Sequence, residues 1–183
     1  MCSFFQGKSP YLRDTFRYTP IVAALLQPNE YFGCFGKLLF CSCDIAVGYL
    51  IYRICKAQGC DVKTSTVCAM LWLFNPLTFT VSSRGNAESL VAAIVLSCLY
   101  IFTNSATDRS VVFGGLLFGL SVHTKIYPIT YSLPLYMFLS GGEHDRGFLA
   151  KIRKIFRPNR RQLLLVVSSV AAFVCLTSYF YFR

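Results

Sequence analysis

Six apolar stretches, separated by short charged links, decide what this chain can fold into. Residues 32–52 cover 21 positions and are interrupted only by Lys37 and Asp44. Residues 66–81 cover 16 uncharged positions with Pro76 near the end, and residues 89–102 cover 14. Residues 111–122 and 126–139 cover 12 and 14, parted by His123-Thr124-Lys125, and residues 163–182 give an unbroken run of 20. A helix needs about 20 largely apolar residues to cross a bilayer. The pattern therefore predicts an all-α, polytopic membrane protein of about five or six transmembrane or half-membrane helices. Composition agrees: 14% of residues are charged and mean hydropathy is +0.51, against about 25% charged in a soluble domain. A soluble globular domain, a disordered tail and a coiled coil are excluded on that ground.

The stretch 111–139 is too long for one untilted span and too short for two. His and Lys at its centre would each cost roughly 2.5–3.5 kcal/mol against hydrocarbon, and Pro128 and Pro134 bar a regular second half. It reads as two short helices meeting at a polar break on one membrane face. Such breaks persist only where protein buries them or water reaches them.

Charge supplies the orientation. Links 53–65, 103–110 and 140–162 carry eleven cations, the other side carries six, and Lys37 lies within a span. Cation-rich links stay cytoplasmic. Residues 1–31, link 82–88 and the break at 123–125 then share the opposite face, lumenal in a secretory membrane. The chain 1–183 reads as a single transmembrane domain with a lumenal segment at 1–31 and a basic cytoplasmic loop at 140–162. Within that loop, Phe148, Leu149, Ile152, Ile155 and Phe156 recur at helical spacing among Lys151, Arg153, Lys154 and Arg157. This is the pattern of a basic amphipathic helix on an anionic leaflet. The net charge of +10 is thus assigned to lipid rather than nucleic acid. Nine cysteines lie scattered without a CxxC pair and read as small apolar packing residues rather than metal ligands or disulfides. The N-terminus lacks a basic and then apolar leader, so either insertion begins at an internal segment or something upstream is missing.

Four places hold polar residues that a lipid-facing helix does not need. Residues 9–20 mix aromatics and cations, Arg17 and Tyr18 among them; an interfacial loop and the lining of a lipid-phosphate or sugar site both fit. Residues 82–89 place Arg84, Asn86 and Glu88 at alternate positions around Gly85. An arginine forks two donors onto a phosphate, an asparagine reads a hydroxyl, and a carboxylate orients either. A plain polar link is the competing reading. At the break, His123, Lys125 and Tyr127 stand close together, and Gly115 and Gly119 upstream have the GxxxG spacing of helix packing. Asp44 lies near the centre of the first span, where a carboxylate is either polar glue or functional. Asp44 apart, these places share one side. Cations that neutralise a phosphate leaving group, beside groups that fix a sugar, suit transfer from an amphiphilic phosphate donor.

The strings SPYLRDTFRYTP, FGKLLFCSCDIAVGYLIYR, WLFNPLTFTVSSRGNAES and GLSVHTKIYPITYSLPL closely resemble the GPI mannosyltransferase 1 (PIG-M-like) family, GT-C class glycosyltransferases of the endoplasmic-reticulum membrane. The likeness is collinear over about residues 8–140 and weaker beyond. It implies a partial GT-C fold, a multi-pass location in that membrane, and transfer of the first mannose from dolichol-phosphate-mannose to glucosaminyl-(acyl)-phosphatidylinositol. The linkage implied is α-1,4, formed at the lumenal face without a metal or other cofactor. It also implies a small membrane helper subunit. Arg17, Tyr18, Arg84, Asn86, Glu88, His123, Lys125 and Tyr127 match family motifs and are carried over as substrate-binding residues.

The family's essential Asp-x-Asp motif does not occur in this sequence, so no catalytic residue is assigned. A fragment or short isoform is the expectation. Two other classes stay open: a non-catalytic truncated fragment that only binds partners, and a small transporter. The transporter predicts pseudo-symmetry between the halves, which the sequence does not show.

Overall fold

The computed structural model describes residues 19–105, 107–140 and 157–182. Among these residues every regular element is helical, in keeping with the all-α expectation. The chain forms two compact units, residues 1–96 and 97–183.

In the first unit, Pro20 opens α1 (Pro20–Leu25), since its fixed φ suits a first helical turn. A 3-10 turn at Gln27–Glu30 leads into α2 (Phe35–Ala57). The 23 residues of α2 extend roughly 35 Å at 1.5 Å per residue, enough to cross a hydrocarbon core. Gly59, with φ at +86°, reverses the chain. Asp61 then caps α3 (Val62–Leu73) by accepting the Thr64 N–H at 3.2 Å. Helices α2 and α3 close tightly at Gly48, where a Cβ would lie 2.8 Å from Leu73 Cγ.

Residues 66–81, one apolar stretch in the sequence, are two helices. Asn75 adopts an extended conformation and accepts the Leu77 N–H at 2.9 Å, and Pro76 takes the first position of α4 (Pro76–Ser83). A residue before proline is pushed out of the helical region, and asparagine is a strong N-cap. The limbs meet at a 47° bend. Helix α5 (Glu88–Asn104) follows, and Val22, Phe40 and Ala87 form a small core that joins α1, α2 and the approach to α5.

The second unit is built on α6 (Asp108–Thr124) and α8 (Arg160–Tyr181). Asp108 pairs with Arg160 at 3.1 Å at their first residues. Gly115 then faces Leu165 and Ser168, Gly119 faces Ser169 and Ala172, and His123 reaches Phe173 and Phe180. The register rises together along both helices, so they run parallel and start at the same end. The GxxxG reading holds: a Cβ on Gly119 would collide with the Ser169 carbonyl oxygen.

Between them the chain comes back. Lys125 is extended (φ −147°, ψ 145°) and ends α6. A 3-10 turn at Tyr127–Tyr131 and α7 (Ser132–Phe138) then return it toward the starts of α6 and α8. The return is fixed by Gln162 in the first turn of α8. It is buried, donates to the Tyr136 carbonyl at 3.0 Å, and accepts the Asn159 N–H at 2.7 Å in a capping box. Leu135 and Leu139 share a core with Phe102, Val111, Phe118 and Leu165. The polar break at 123–125 is therefore the tip of a helical hairpin, as the sequence suggested. Residues on either side, near 108 and 160, lie at one end.

Two helices, α2 and α8, are long and apolar enough to cross a membrane, and the bent pair α3–α4 makes a third if it counts as one span. Of the five or six transmembrane or half-membrane helices expected, α5 and α6 are shorter, at 17 residues each, and α7 has seven. The amphipathic pattern at 148–157 lies outside the described residues.

Candidate functional site

The residues singled out in the sequence fall into two groups, one in each unit; Arg17 and Tyr18 lie outside the described residues. In the first unit, α4 ends in a Schellman turn. The Asn86 N–H reaches the Val81 carbonyl at 3.3 Å, the Gly85 N–H reaches the Ser82 carbonyl at 2.9 Å, and Gly85 takes φ +83°. That left-handed geometry is why a glycine stands there. It leaves Arg84 exposed at the helix end, with Asn86 and Glu88 half-buried on the turn. Glu88 opens α5, where a carboxylate stabilises the positive end of the helix dipole. Three polar side chains are thus presented by one rigid turn between two helix ends.

That turn rests on a buried polar cluster. Ser82 and Ser89, at its two ends, are both buried. The Ser82 hydroxyl donates to Ser89 Oγ at 3.3 Å, and Ser89 Oγ donates to the Phe40 carbonyl of α2 at 2.9 Å. One turn further along α2 is Asp44, only 8% exposed. The Ser82 hydroxyl and the Trp72 indole N–H are the side-chain donors that face its carboxylate. They approach without closing to ordinary hydrogen-bond geometry, and Asp44 Oδ1 and Trp72 Nε1 have no hydrogen-bond partner among the described residues. Asp44 was flagged in the sequence as an isolated intramembrane charge. Its neighbour Trp72 was not, and Ser82 was read only as part of the polar stretch 82–89, because the two come from later helices across the Asn75-Pro76 bend. Helical periodicity carries no signal through such a bend.

In the second unit the break groups His123, Lys125 and Tyr127 at the hairpin tip. His123 is in the last turn of α6. Its ring lies 6.1 Å from Phe173 and 5.8 Å from Phe180, and its Nδ1 is buried without a partner among the described residues. The imidazole is thus walled by aromatic rings of α8. Lys125 is half-buried and Tyr127 is 40% exposed. The break presents one cation and one phenol from an otherwise apolar end.

Eight of the nine cysteines are described, and they form no disulfide among the described residues. Cys98 alone is fully buried, whereas Cys34 and Cys175 are exposed. The packing role read for all nine therefore fits Cys98 best.

Apolar helices fit to cross a bilayer, with polar groups sealed between them, define an integral membrane protein. The chain belongs to the mannosyltransferase (PIG-M) family, whose model matches residues 81–183, and relatives aligned over most of the chain bear out the resemblance read from its sequence. The chain is 45% identical over 180 residues to the Danio rerio protein named GPI alpha-1,4-mannosyltransferase I, catalytic subunit, covering 97% of this chain and 44% of that protein. It is 42% identical over 146 residues to GPI mannosyltransferase 1 of Saccharomyces cerevisiae, covering 78% and 35%. It is 37% identical over 188 residues to the Dictyostelium discoideum protein of the same name, covering 96% and 41%. The chain spans less than half the length of these curated relatives. No solved structure matches it.

Proposed function

We propose that this chain supplies donor-phosphate and sugar contacts to a GPI-anchor mannosyltransferase of the endoplasmic-reticulum membrane. The reaction is transfer of the first mannose from dolichol-phosphate-mannose to glucosaminyl-(acyl)-phosphatidylinositol, with formation of an α-1,4 linkage. The observation that carries the reading is the Arg84–Glu88 turn. An exposed guanidinium stands beside an asparagine and a glutamate on a polar seat within apolar helices. The relatives' printed names supply the sugar, the pathway and, for the zebrafish protein, the linkage.

The acceptor hydroxyl attacks the anomeric carbon of mannose. The carbon–oxygen bond to phosphate breaks, dolichyl phosphate leaves with the bonding pair, and the hydroxyl proton passes to a general base. Arg84 neutralises charge as it gathers on the departing phosphate, where two forked donors act more strongly than on the neutral sugar. Asn86 and Glu88 hold sugar hydroxyls. In the second unit His123, Lys125 and Tyr127 are further candidate substrate-binding residues, and Arg17 and Tyr18 are candidates ahead of α1. Lipid-embedded polar groups suit a donor whose own anchor lies in the bilayer. The cation bias of the links favours a lumenal position for these polar groups, in a chain that passes the membrane several times. A small membrane subunit stabilises the working enzyme.

A chimera tests this reading. The zebrafish relative, with its aligned 180-residue stretch replaced by this chain, is expressed in cells lacking GPI mannosyltransferase 1. Surface GPI-anchored protein, read by flow cytometry, is expected to return. A chimera that reaches the membrane at the relative's own level and restores nothing would refute the proposal.

A further inference from the structure

The buried carboxylate of Asp44 has no assigned role, and its position relative to the α3–α4 bend gives it one. Trp72 belongs to α3, before the 47° bend, and Ser82 belongs to α4, after it. Both lie against the same carboxylate on α2: the Trp72 indole N–H faces it, and so does the Ser82 hydroxyl, whose proton goes to Ser89 Oγ. A carboxylate taken out of water is costly unless donors reach it, so it draws in the donors that the two limbs supply. Both limbs are then tied to one acidic group. Beyond Ser82 the chain enters the turn, and Ser89 at its far end is held to the Phe40 carbonyl of α2 at 2.9 Å. Asp44 and Phe40 stand four residues apart on α2, on one face. One helix therefore grips both ends of the segment that carries Arg84, Asn86 and Glu88.

We propose that Asp44 is a positioning residue: through Ser82 and Trp72 it holds the two limbs of the Asn75–Pro76 bend against α2 and so seats the Arg84–Glu88 turn for its phosphate-bearing ligand. This inference rests on the reading of that turn as the donor-binding site. Occupation of the turn by a phosphate would bring the Trp72 N–H onto the carboxylate and turn the Ser82 hydroxyl to it from Ser89. Plain structural glue would be indifferent to ligand.

Trp72 is the only tryptophan in the chain, so its emission reports on this contact directly. The experiment uses the whole chain in phosphatidylcholine nanodiscs and a short-chain polyprenyl-phosphate-mannose labelled in the sugar. Retained label measures affinity, and Trp72 emission is followed in the same titration. The native chain is expected to bind saturably with a change in Trp72 emission. Asp44→Asn keeps the shape and removes the charge. At matched helical content it is expected to bind at least tenfold more weakly and to lose the ligand-induced emission change.

Equal affinity of Asp44→Asn and the native chain, alongside weakened Arg84→Ala, would overturn the inference and leave the site reading standing. Undiminished binding by Arg84→Ala, or no binding by the native chain, would remove the site reading and the inference with it. If Asp44→Asn loses helical content, Ser82→Ala decides. Native affinity and a native emission change in that variant at matched helicity would refute the inference.

Discussion

Replacing Gly119 with alanine puts a methyl group where α6 meets the backbone of α8. The new Cβ would collide with the Ser169 carbonyl oxygen and lie 2.8 Å from Ala172 Cβ. A carbonyl inside a helix cannot turn aside, so the two helices must separate. Overpacking costs about 1–3 kcal/mol, and a clash with fixed backbone belongs in the upper part of that range, about 2–3 kcal/mol; alanine returns about 1 kcal/mol of helix propensity relative to glycine. The expected net loss is about 1–2 kcal/mol, and between apolar helices in lipid no hydrophobic gain offsets lost contact. Gly115→Ala is the internal comparison. Its Cβ would collide with the Ser168 hydroxyl and lie 3.1 Å from both Ser168 Cβ and the Leu165 carbonyl oxygen. Rotating the hydroxyl relieves only the first of these, so Gly115→Ala should also push the helices apart. Cys98, fully buried in the same core, provides the readout. Its maleimide labelling, mapped by mass spectrometry in mild detergent, tracks the opened population of the second unit. A loss of about 1–2 kcal/mol raises that population about five- to thirty-fold, so Gly119→Ala should label that much faster, and Gly115→Ala faster than the native chain. Native-rate labelling of Gly119→Ala would show that α6 and α8 do not pack through this face.

Two further outcomes are expected. Gln162→Ala removes the donor to the Tyr136 carbonyl and the reciprocal cap on Asn159; losing such partly buried bonds costs about 1–3 kcal/mol. Amides at the start of α8 should exchange faster by deuterium mass spectrometry, and unchanged exchange would deny the tie between α7 and α8. The Asp61 cap is sensitive to acid. Hydrogen bonds from the Thr64 side chain and backbone hold its carboxyl below the usual carboxylate range. A group depressed on folding stabilises above its unfolded pKa and loses that effect as pH falls through the folded value. The first turn of α3 should therefore loosen only in strong acid, as read by amide exchange over residues 62–66. Asp61→Asn should abolish the dependence, and an equal acid response in that variant would show another group responsible.

The helical class was legible because apolar runs near 20 residues in a charge-poor chain leave few other arrangements. The hairpin was legible from two proline-limited short runs around His123 and Lys125, and α6–α8 packing from Gly115 and Gly119. Those signals are local, carried by spacing within one segment. The bend at Asn75-Pro76 was also written locally, in a cap residue before a proline, but the continuous apolarity of residues 66–81 masked it. The seat beneath the Arg84 turn was hidden for a different reason. It depends on Phe40, Asp44 and Trp72 meeting Ser82 and Ser89 across four helices. No sequence spacing encodes such a meeting. Arg84, Asn86 and Glu88 were found as a motif because their polarity is anomalous among apolar neighbours. The donors that surround Asp44 are a serine and a tryptophan, ordinary residues in a membrane helix.

The central claim is that Arg84 holds the donor phosphate, and the most direct measurement is the donor dependence of turnover in the zebrafish chimera carrying Arg84→Ala or Arg84→Lys. Hydrogen bonds to a charged group contribute about 1.5–3 kcal/mol, so Arg84→Ala should lower kcat/KM for dolichol-phosphate-mannose by about ten- to a hundredfold at an unchanged membrane level. Arg84→Lys should recover only part of it, since an ammonium cannot fork two donors onto one phosphate. A native kcat/KM in Arg84→Ala would contradict the account and move the phosphate site away from this turn.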